Sequence, residues 1–505
     1  MLKIGWSQKD ISTEKPIIIP GQFYMRVSKG ILDPITLTAL TVDDGNDYLI
    51  FLSCDIVSIY AGIFDRIRER VEEINPEINT LKIVMNATHT HCGPLVQLGE
   101  TVSCWGKLED LPHDDVEINS QTEYTEFFIE NAASAIVESF NNKSEGLISY
   151  GYGYSVVAHS RRSVYFDDLS KRDGYASNSC FVDGHARMYG NTNDDMFSHF
   201  EAGADHFANF LFTFDKDEKL TGAIVNVPCP SQNSGSESML SADFWHDARC
   251  EIRKKYGDIF ILPQCAAAGD LSPRLLHYKK AQDRRFKLKY SDYKLDERAE
   301  FNLELYARRD IGIRISEAFD EVFSWASKEK FKEAPIVHSV KTIELDKRLI
   351  TDDEYNFALA EIEKNKVRPP FVTDGEPLEK LKKNSQIVAG GSRYSRIPYR
   401  YETQKTNPKH KMELHVIKLG NIAFASNQFE LYMDYQHRIQ ARSPFEQTFI
   451  VQLCAQPGQN CGSYLATKRG VWAVGYSASM FDNIVSPEGG QQLVEETLNE
   501  LKKIY

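Results

Sequence analysis

Residues 48–86 have the sequence YLIFLSCDIVSIYAGIFDRIRERVEEINPEINTLKIVMN. The apolar runs at 48–55 and 81–86 are typical of buried strands, because they are short and rich in large apolar residues. Between them, four apolar residues recur at helical spacing while the opposite face carries charges: Ile63, Ile67, Val71 and Ile74. A strand, a helix and a strand in succession predict a layered α/β fold.

The same alternation extends outward from this unit and predicts a mixed-sheet core covered by helices. Further strands are predicted at 35–42, 146–154, 207–214, 220–227 and 259–262, and helices at 124–140, 243–256, 301–325 and 491–505. A hairpin is predicted around the turn Gly420-Asn421. No linker divides the chain, so residues 1–505 are predicted to form one elaborated domain. Insertions are expected near 275–300 and 352–405, and residues 364–405 of the second are expected to form an irregular excursion or an active-site lid.

Composition excludes several classes of protein. The chain has 505 residues, with 59 Lys and Arg against 72 Asp and Glu, a net charge of −13 that would repel nucleic acid. No apolar run reaches the roughly 18–20 residues of a membrane helix. The sequence as given predicts a cytoplasmic protein, or a periplasmic or secreted one if a signal peptide was removed. A small-molecule substrate is expected, and homo-oligomerisation stays open.

The cysteines predict reduced and mostly buried thiols, because the nine residues are spread singly without a CxxC pair. They occupy positions 54, 92, 104, 180, 229, 250, 265, 454 and 461.

The sharpest local motif is NATHTHCGP at 86–94, where an apolar strand runs into a Gly-Pro break. In a strand, residues i and i+2 point to one face, so His89 and His91 are expected side by side at a strand end. Such a pair suits a first-row metal, above all Zn²⁺. Two histidines bonded to neighbouring backbone fit the pair equally well. Among the distant histidines, His206 is the best placed third ligand, since it directly precedes the strand at 207–214.

Six segments in a fixed order resemble the catalytic domain of the neutral/alkaline ceramidase family. They are KIGWSQKDIS (3–12), FLSCDIV (51–57), NATHTHCGP (86–94), SRRSVY (160–165), DHFANFLFTFD (205–215) and QCAAAGDLSPR (264–274). THTHCGP and AGDLSP are the most specific of these. The resemblance covers nearly the whole sequence, whereas the immunoglobulin-like C-terminal domain of secreted members has no counterpart in it.

The resemblance implies one zinc ion held by His89, His206, Glu430 and a tyrosine. Tyr464 is the tyrosine chosen here, with Tyr476 as its competitor. It further implies that His91 shuttles a proton near the metal-bound water. Arg162 and Tyr464 are then expected to stabilise the oxyanion. The alternative for Arg162 is a surface arginine that pairs with an acid. Zinc lowers the pKa of bound water to about 7, so a metal-bound hydroxide would attack an amide (N-acyl) bond.

The sequence also departs from the family pattern. Ala266 stands where other members carry a serine, and VPCPSQNS at 227–234 replaces their HGTS segment. Cys265 is an unlikely substitute, since strand neighbours point to opposite faces. A polar stretch at 392–402 offers Arg393, Tyr394 and Arg396 for a carboxylate or a sugar, or forms a solvated loop.

These departures leave the substrate open between a small polar and a lipid-like amide. Two alternatives stand beside this prediction. One is a zinc-dependent hydrolase of a glycosidic or ester bond in a carbohydrate. The other is an inert descendant that binds a ligand in the old pocket.

Overall fold

The computed structural model describes residues 1–175, 183–294 and 299–505. Cys180 and part of the insertion predicted near 275–300 lie outside this range. The helices are α1 (Ile63–Ile74), α2 (Gln121–Asn141), α3 (Phe244–Tyr256), α4 (Lys279–Lys289), α5 (Ala299–Ala326), α6 (Asp352–Lys364), α7 (Pro377–Ser392), α8 (Arg396–Gln404), α9 (Met433–Gln440), α10 (Lys468–Ala473) and α11 (Pro487–Ile504). Short 3-10 turns lie at Thr80–Lys82, Leu108–Asp110, Leu169–Lys171 and Arg393–Ser395.

The strands include several two-residue segments, which pair locally around the ends of the longer ones. In chain order they are β1 (Lys3–Asp10), β2 (Ile18–Ile19), β3 (Arg26–Val27), β4 (Thr36–Asp43), β5 (Tyr48–Cys54), β6 (Ile83–Ala87), β7 (Val102–Ser103), β8 (Gly106–Lys107), β9 (Ser144–Tyr154), β10 (His159–Ser160), β11 (Arg162–Tyr165), β12 (Ala186–Met188), β13 (Phe197–Phe200), β14 (Phe207–Asp215), β15 (Leu220–Val227), β16 (Phe260–Cys265), β17 (Leu271–Ser272), β18 (Ile336–Asp346), β19 (Lys409–Leu419), β20 (Ile422–Ser426), β21 (Glu430–Leu431), β22 (Gln447–Val451) and β23 (Tyr464–Leu465).

Two sheets pack face to face and form the centre of the fold. The larger has the order β16-β15-β14-β9-β1-β4-β5-β6, and the smaller has the order β18-β19-β20-β22. Their inner faces share one apolar cluster, in which the Phe51 ring lies 5.0 Å from Phe424 and Phe424 lies 4.5 Å from Phe449. Most neighbouring strands are antiparallel, whereas β5–β6, β15–β16 and β20–β22 are parallel. The predicted mixed sheet is therefore confirmed.

Helices cover the outer faces of both sheets and complete an α/β/β/α layering. Helices α1 and α2 pack on the outer face of the larger sheet, where Ile67, Phe128 and Leu52 belong to one apolar cluster. Helix α11 packs on the smaller sheet, where Leu498 and Val416 belong to a second cluster. This arrangement follows from period-2 strands with two apolar faces, each of which has to be buried.

The strand–helix–strand unit is confirmed, since β5, α1 and β6 lie within two residues of their predicted bounds. The prediction of an irregular excursion at 364–405 is wrong, because most of this segment is helical in α7 and α8. A short apolar stripe lies among the charged and aromatic residues of this segment, where the sequence pattern does not reveal it. On α7, Leu381 and Val388 pack against Trp105, which is buried.

The described cysteines are all free thiols, and most of them are buried, as predicted. Cys104 is half-buried and Cys250 is exposed. Within residues 1–175, 183–294 and 299–505, no helix has both the length and the apolar character needed to cross a membrane.

A partly buried ion pair ties α1 to the smaller sheet and makes the stability of the fold depend on pH. Arg68 binds Glu413 at 2.6 Å, and His415 lies 3.0 Å from the same carboxylate. Burial opposes ionisation of Glu413, but hydrogen bonds from His415 and Arg68 outweigh it and lower its pKa from 4.5 to about 2.

Replacing Glu413 with Gln is expected to lower the free energy of unfolding at neutral pH by about 3 kcal/mol, because it leaves the largely desolvated Arg68 guanidinium without its partner. A carboxylate with a lowered pKa stabilises the fold above its unfolded value and loses this contribution as the pH falls. The deficit of Glu413→Gln should therefore shrink as the pH falls from 4.5 toward 2. Urea unfolding across this range measures it. The matched control is Glu496→Gln, which removes an exposed pair with Lys341. An equal loss in both variants would contradict the prediction.

Candidate metal centre

His89 lies just beyond the carboxyl end of β6, in a turn rather than in a strand. The strand ends at Ala87, and His89 adopts a left-handed backbone conformation with φ of 65°. Its ring Nδ1 lies 2.7 Å from the carbonyl oxygen of Val57. This hydrogen bond leaves Nε2 free to face the site. The prediction that strand alternation presents the histidine pair is therefore wrong, although the two rings do meet.

His91 places its imidazole beside that of His89. The two Nε2 atoms are 3.3 Å apart. Gly21 and Gly235 leave room for this ring, since a Cβ at Gly21 would lie 2.9 Å from His91 Cγ. Burial and the neighbouring His89 lower the pKa of His91 well below its usual value. Its imidazole is therefore neutral near pH 7.

Glu430 and Tyr464 are brought together by a short parallel ladder. Strands β21 and β23 pair with Glu430 directly opposite Tyr464. The carboxylate Oε2 of Glu430 lies 3.5 Å from His89 Nε2. Residues 34 positions apart in sequence thus share one face, which local sequence patterns do not reveal.

Arg161, and not Arg162, joins this group. Nη2 of Arg161 donates to Tyr464 Oη at 3.0 Å, to Glu430 Oε2 at 3.3 Å and to the carbonyl of Gly269 at 2.8 Å. Glu430 and Tyr464 line a cavity that is described below, whereas Arg161 does not, so Arg161 holds these two residues from behind.

Arg162 points into the protein and has a structural role, which corrects its prediction as an oxyanion residue. It binds Glu201 at 2.7 Å and donates to the carbonyl of Tyr476 at 2.7 Å, and its side chain is fully buried. The physical reason is that neighbouring residues in an extended chain point to opposite sides, so Arg161 and Arg162 do not both face the site. The alternative that Arg162 pairs with an acid is the one observed.

His89, His91, Glu430 and Tyr464 line a cavity of about 530 Å³. Tyr476 also lines it, with its ring centroid 5.5 Å from that of Tyr464. The walls combine apolar with polar side chains. The apolar part is formed by Phe23, Val57, Tyr60, Val102, Phe481 and Ile484.

The structure places His206 away from this cluster. Its backbone carbonyl accepts a hydrogen bond from Ser155, and its ring Nδ1 is buried without a hydrogen-bond partner among the residues that the structure describes. Burial lowers the pKa of His159, and the neighbouring His206 contributes to this shift. His206 does not line the cavity that contains His89. His206 precedes β14 as predicted, but that strand lies next to β9, several strands away from β6 in the larger sheet.

Of the predicted substrate-binding residues, Arg396 lines the cavity. Arg393 stacks on Phe481, with its guanidinium carbon 4.5 Å from the ring centroid, and Tyr394 is buried against the same ring. Phe481 itself lines the cavity. Arg393 and Tyr394 therefore support the wall from behind.

Position 266 offers no nucleophile. Ala266 is buried, and burial raises the pKa of the adjacent Cys265 thiol to about 12. The prediction that Cys265 is an unlikely substitute agrees with this environment. Asp270 accepts a hydrogen bond from the backbone N–H of Met433, so it fixes the start of α9.

One pair of donors in this group has the spacing that a zinc ion requires. Two donors that share one tetrahedral zinc at 2.0–2.2 Å lie about 3.4 Å apart. The separation of His89 Nε2 and Glu430 Oε2 is 3.5 Å, and the Tyr464 phenol oxygen accepts from the same Arg161 nitrogen as that carboxylate oxygen. No group of three or more His, Cys, Asp or Glu within the described ranges is arranged to hold a metal ion.

Comparisons with known proteins give a likeness in structure alone. No protein-family model matches the sequence, and no curated protein matches it either. Neutral ceramidase from Pseudomonas aeruginosa superimposes with a TM-score of 0.64 at 15% identity, over 99% of this chain and 75% of that one. A ceramidase complexed with C2 gives a TM-score of 0.63 at 14% identity, over 100% and 75% of the chains. The chain thus has the fold of neutral ceramidase.

Proposed function

We propose that this protein is a zinc-dependent hydrolase of an amide (N-acyl) bond. The observation that carries this proposal is the meeting of His89, His91, Glu430 and Tyr464 on the wall of one cavity. The fold shared with neutral ceramidase supports it. An imidazole, a carboxylate and a phenol are ligands that zinc accepts, and three protein ligands with an open position are typical of catalytic zinc.

In this proposal His89, Glu430 and Tyr464 hold the zinc ion. The ion supplies a Lewis acid for the amide carbonyl and lowers the pKa of water to about 7. His206 is left out of the ligand set because it lies elsewhere.

The remaining residues have separate tasks. His91 Nε2 lines the cavity within 3.3 Å of His89 Nε2, so it can accept a proton from water and return it to the leaving nitrogen. The phenol of Tyr476 faces the same space and can donate a hydrogen bond to the carbonyl oxygen as its charge develops. Arg161 positions Tyr464 and Glu430 through its hydrogen bonds.

Metal analysis together with a substrate screen tests the proposal. Protein purified without added metal is expected to contain about one zinc per chain. It should hydrolyse N-acyl amides but not glycosides or sugar esters, and a chelator should remove the activity. Turnover of carbohydrate substrates alone would favour the carbohydrate hydrolase. Bound zinc without turnover of any substrate would favour the inert binding protein.

The two neighbouring arginines provide a matched pair of variants. Arg161→Lys keeps the charge but cannot reach three acceptors at once, so kcat on an amide substrate is expected to fall about 10- to 100-fold. Arg162→Lys breaks hydrogen bonds to Glu201 and to backbone carbonyls. It should lower the free energy of unfolding by about 3 kcal/mol with little change in kcat. Steady-state kinetics and urea unfolding of both variants decide the assignment. Equal kcat losses would refute it.

A further inference from the structure

Arg396 stands out among the residues that line the cavity. It is the only Lys or Arg among the described lining residues. Its side chain makes no hydrogen bond or ion pair with any residue in the described part of the chain, and it is exposed. The net charge of −13 means that most of the protein surface repels anions. An unpaired cation at a cavity is a local place where an anion is attracted.

The acids of the cavity do not neutralise this arginine. Glu430 is bound by Arg161 at 3.3 Å. Asp482 accepts hydrogen bonds from the Ser479 hydroxyl and the backbone N–H of Ser477. Burial raises the pKa of Tyr60 to about 12, although the charge of Arg396 acts in the opposite direction. The Tyr60 phenol is therefore neutral near pH 7.

The helix that carries Arg396 is fixed to the cavity wall. One turn further along α8, Arg400 donates to the carbonyl of Asn483 at 2.8 Å and to that of Met480. These carbonyls belong to the segment that contributes Phe481 and Asp482 to the wall. Ile397 is buried beside Ile350. Arg400 thus anchors α8, while Arg396 on the same helix remains available to a ligand.

The rest of the cavity suits the apolar part of a ligand. Phe23, Val57 and Ile484 are among its apolar lining residues. A volume of about 530 Å³ lies within the range of small-molecule sites. An acyl chain fits this lining, and an anionic group fits the guanidinium, which binds carboxylate and phosphate by paired hydrogen bonds.

We propose that Arg396 binds an anionic group of the substrate, a carboxylate or a phosphate. The substrates would then be acidic amides, of which N-acyl amino acids are the simplest, a step that rests on the amide hydrolase proposed above. In the reaction, water forms a C–O bond at the acyl carbon as the C–N bond breaks. The leaving nitrogen takes a proton, so a carboxylic acid and an amino acid are released.

A pair of probes that cannot be hydrolysed tests binding apart from catalysis. In 4-oxoundecanoate a CH₂ group replaces the N–H of N-octanoylglycine, and 4-oxoundecanamide is the same molecule without the charge. Calorimetry should show that the wild-type protein binds the acid about tenfold more tightly than the amide, as expected for a charged hydrogen bond. In Arg396→Gln this ratio should fall to about one.

Arg368→Gln is the matched control, since Arg368 is exposed in the same helical excursion but does not line the cavity. It should keep the wild-type ratio. The proposal is overturned if wild-type protein does not prefer the acid, if it binds neither probe, or if Arg396→Gln keeps the preference. The phosphonate 3-oxodecylphosphonate identifies the anion, because tighter binding than that of the carboxylate indicates a phosphate substrate.

Hydrolysis of N-octanoylglycine is measured separately. Selective binding of 4-oxoundecanoate without hydrolysis of any amide would reject the proposed function but keep the anion site. Hydrolysis of neutral amides with no preference for the acid would keep the proposed function but reject the anion site.

Discussion

His89→Ala is expected to remove the zinc and to lower kcat/KM on an N-acyl amide by at least about 1,000-fold. The metal supplies several kcal/mol of transition-state stabilisation, and each 1.4 kcal/mol corresponds to a factor of ten in rate. The geometry adds to this effect, because the Nε2 of His89 lies 3.3 Å from His91 Nε2 and 3.5 Å from Glu430 Oε2. Zinc content after dialysis and steady-state kinetics measure the two losses.

His206→Ala is the matched control for that variant. The sequence resemblance predicts His206 as a zinc ligand, whereas the structure places it beside Ser155 and His159. We therefore expect His206→Ala to retain its zinc and most of its activity. If His206→Ala loses zinc while His89→Ala keeps it, the proposed centre is in the wrong place. Urea unfolding of both variants separates loss of metal from loss of fold.

Gly269→Ala is expected to lower kcat by at least about 100-fold, because a displacement of about 1 Å at a catalytic group costs that much. A Cβ at this position would overlap the backbone carbonyl of Glu430. The hydrogen bond from the Gly269 N–H to the carbonyl of Leu431 holds the two segments close. The added methyl group would push β21 away from its place, and the Glu430 carboxylate would move with it.

The same substitution should cost about 1–3 kcal/mol of stability, as overpacking of a buried site does. Gly203→Ala is the control, since a Cβ there meets no atom within 4 Å. Kinetics, zinc content and urea unfolding are to be compared for the two variants. Normal activity in Gly269→Ala would show that the position of β21 does not matter for catalysis.

Much of the fold could be predicted because strands and helices are encoded locally. The apolar spacing of residues 48–86 predicted β5, α1 and β6, and the other long strands and helices followed from the same periods. The helices of the segment 352–405 could not be predicted in this way. Its few buried residues, such as Leu381 and Val388, are separated by polar ones, and they become a stripe only against Trp105.

The candidate site could be predicted in part. The motif at 86–94 predicted two imidazoles together, and the resemblance predicted Glu430 and Tyr464 beside them. The choice between Arg161 and Arg162 could not be made, because adjacent residues differ only in the side of the chain to which they point.

The sequence by itself determined the layered α/β class, the strand before the histidine pair and the absence of a nucleophile at Ala266. Tertiary structure alone decided which distant groups meet. Glu430 faces Tyr464 because β21 and β23 pair in that register, and His206 lies apart because its strand is far from β6 in the larger sheet. The physical reason is that periodicity depends on residues a few positions apart, whereas convergence depends on how whole strands and layers pack.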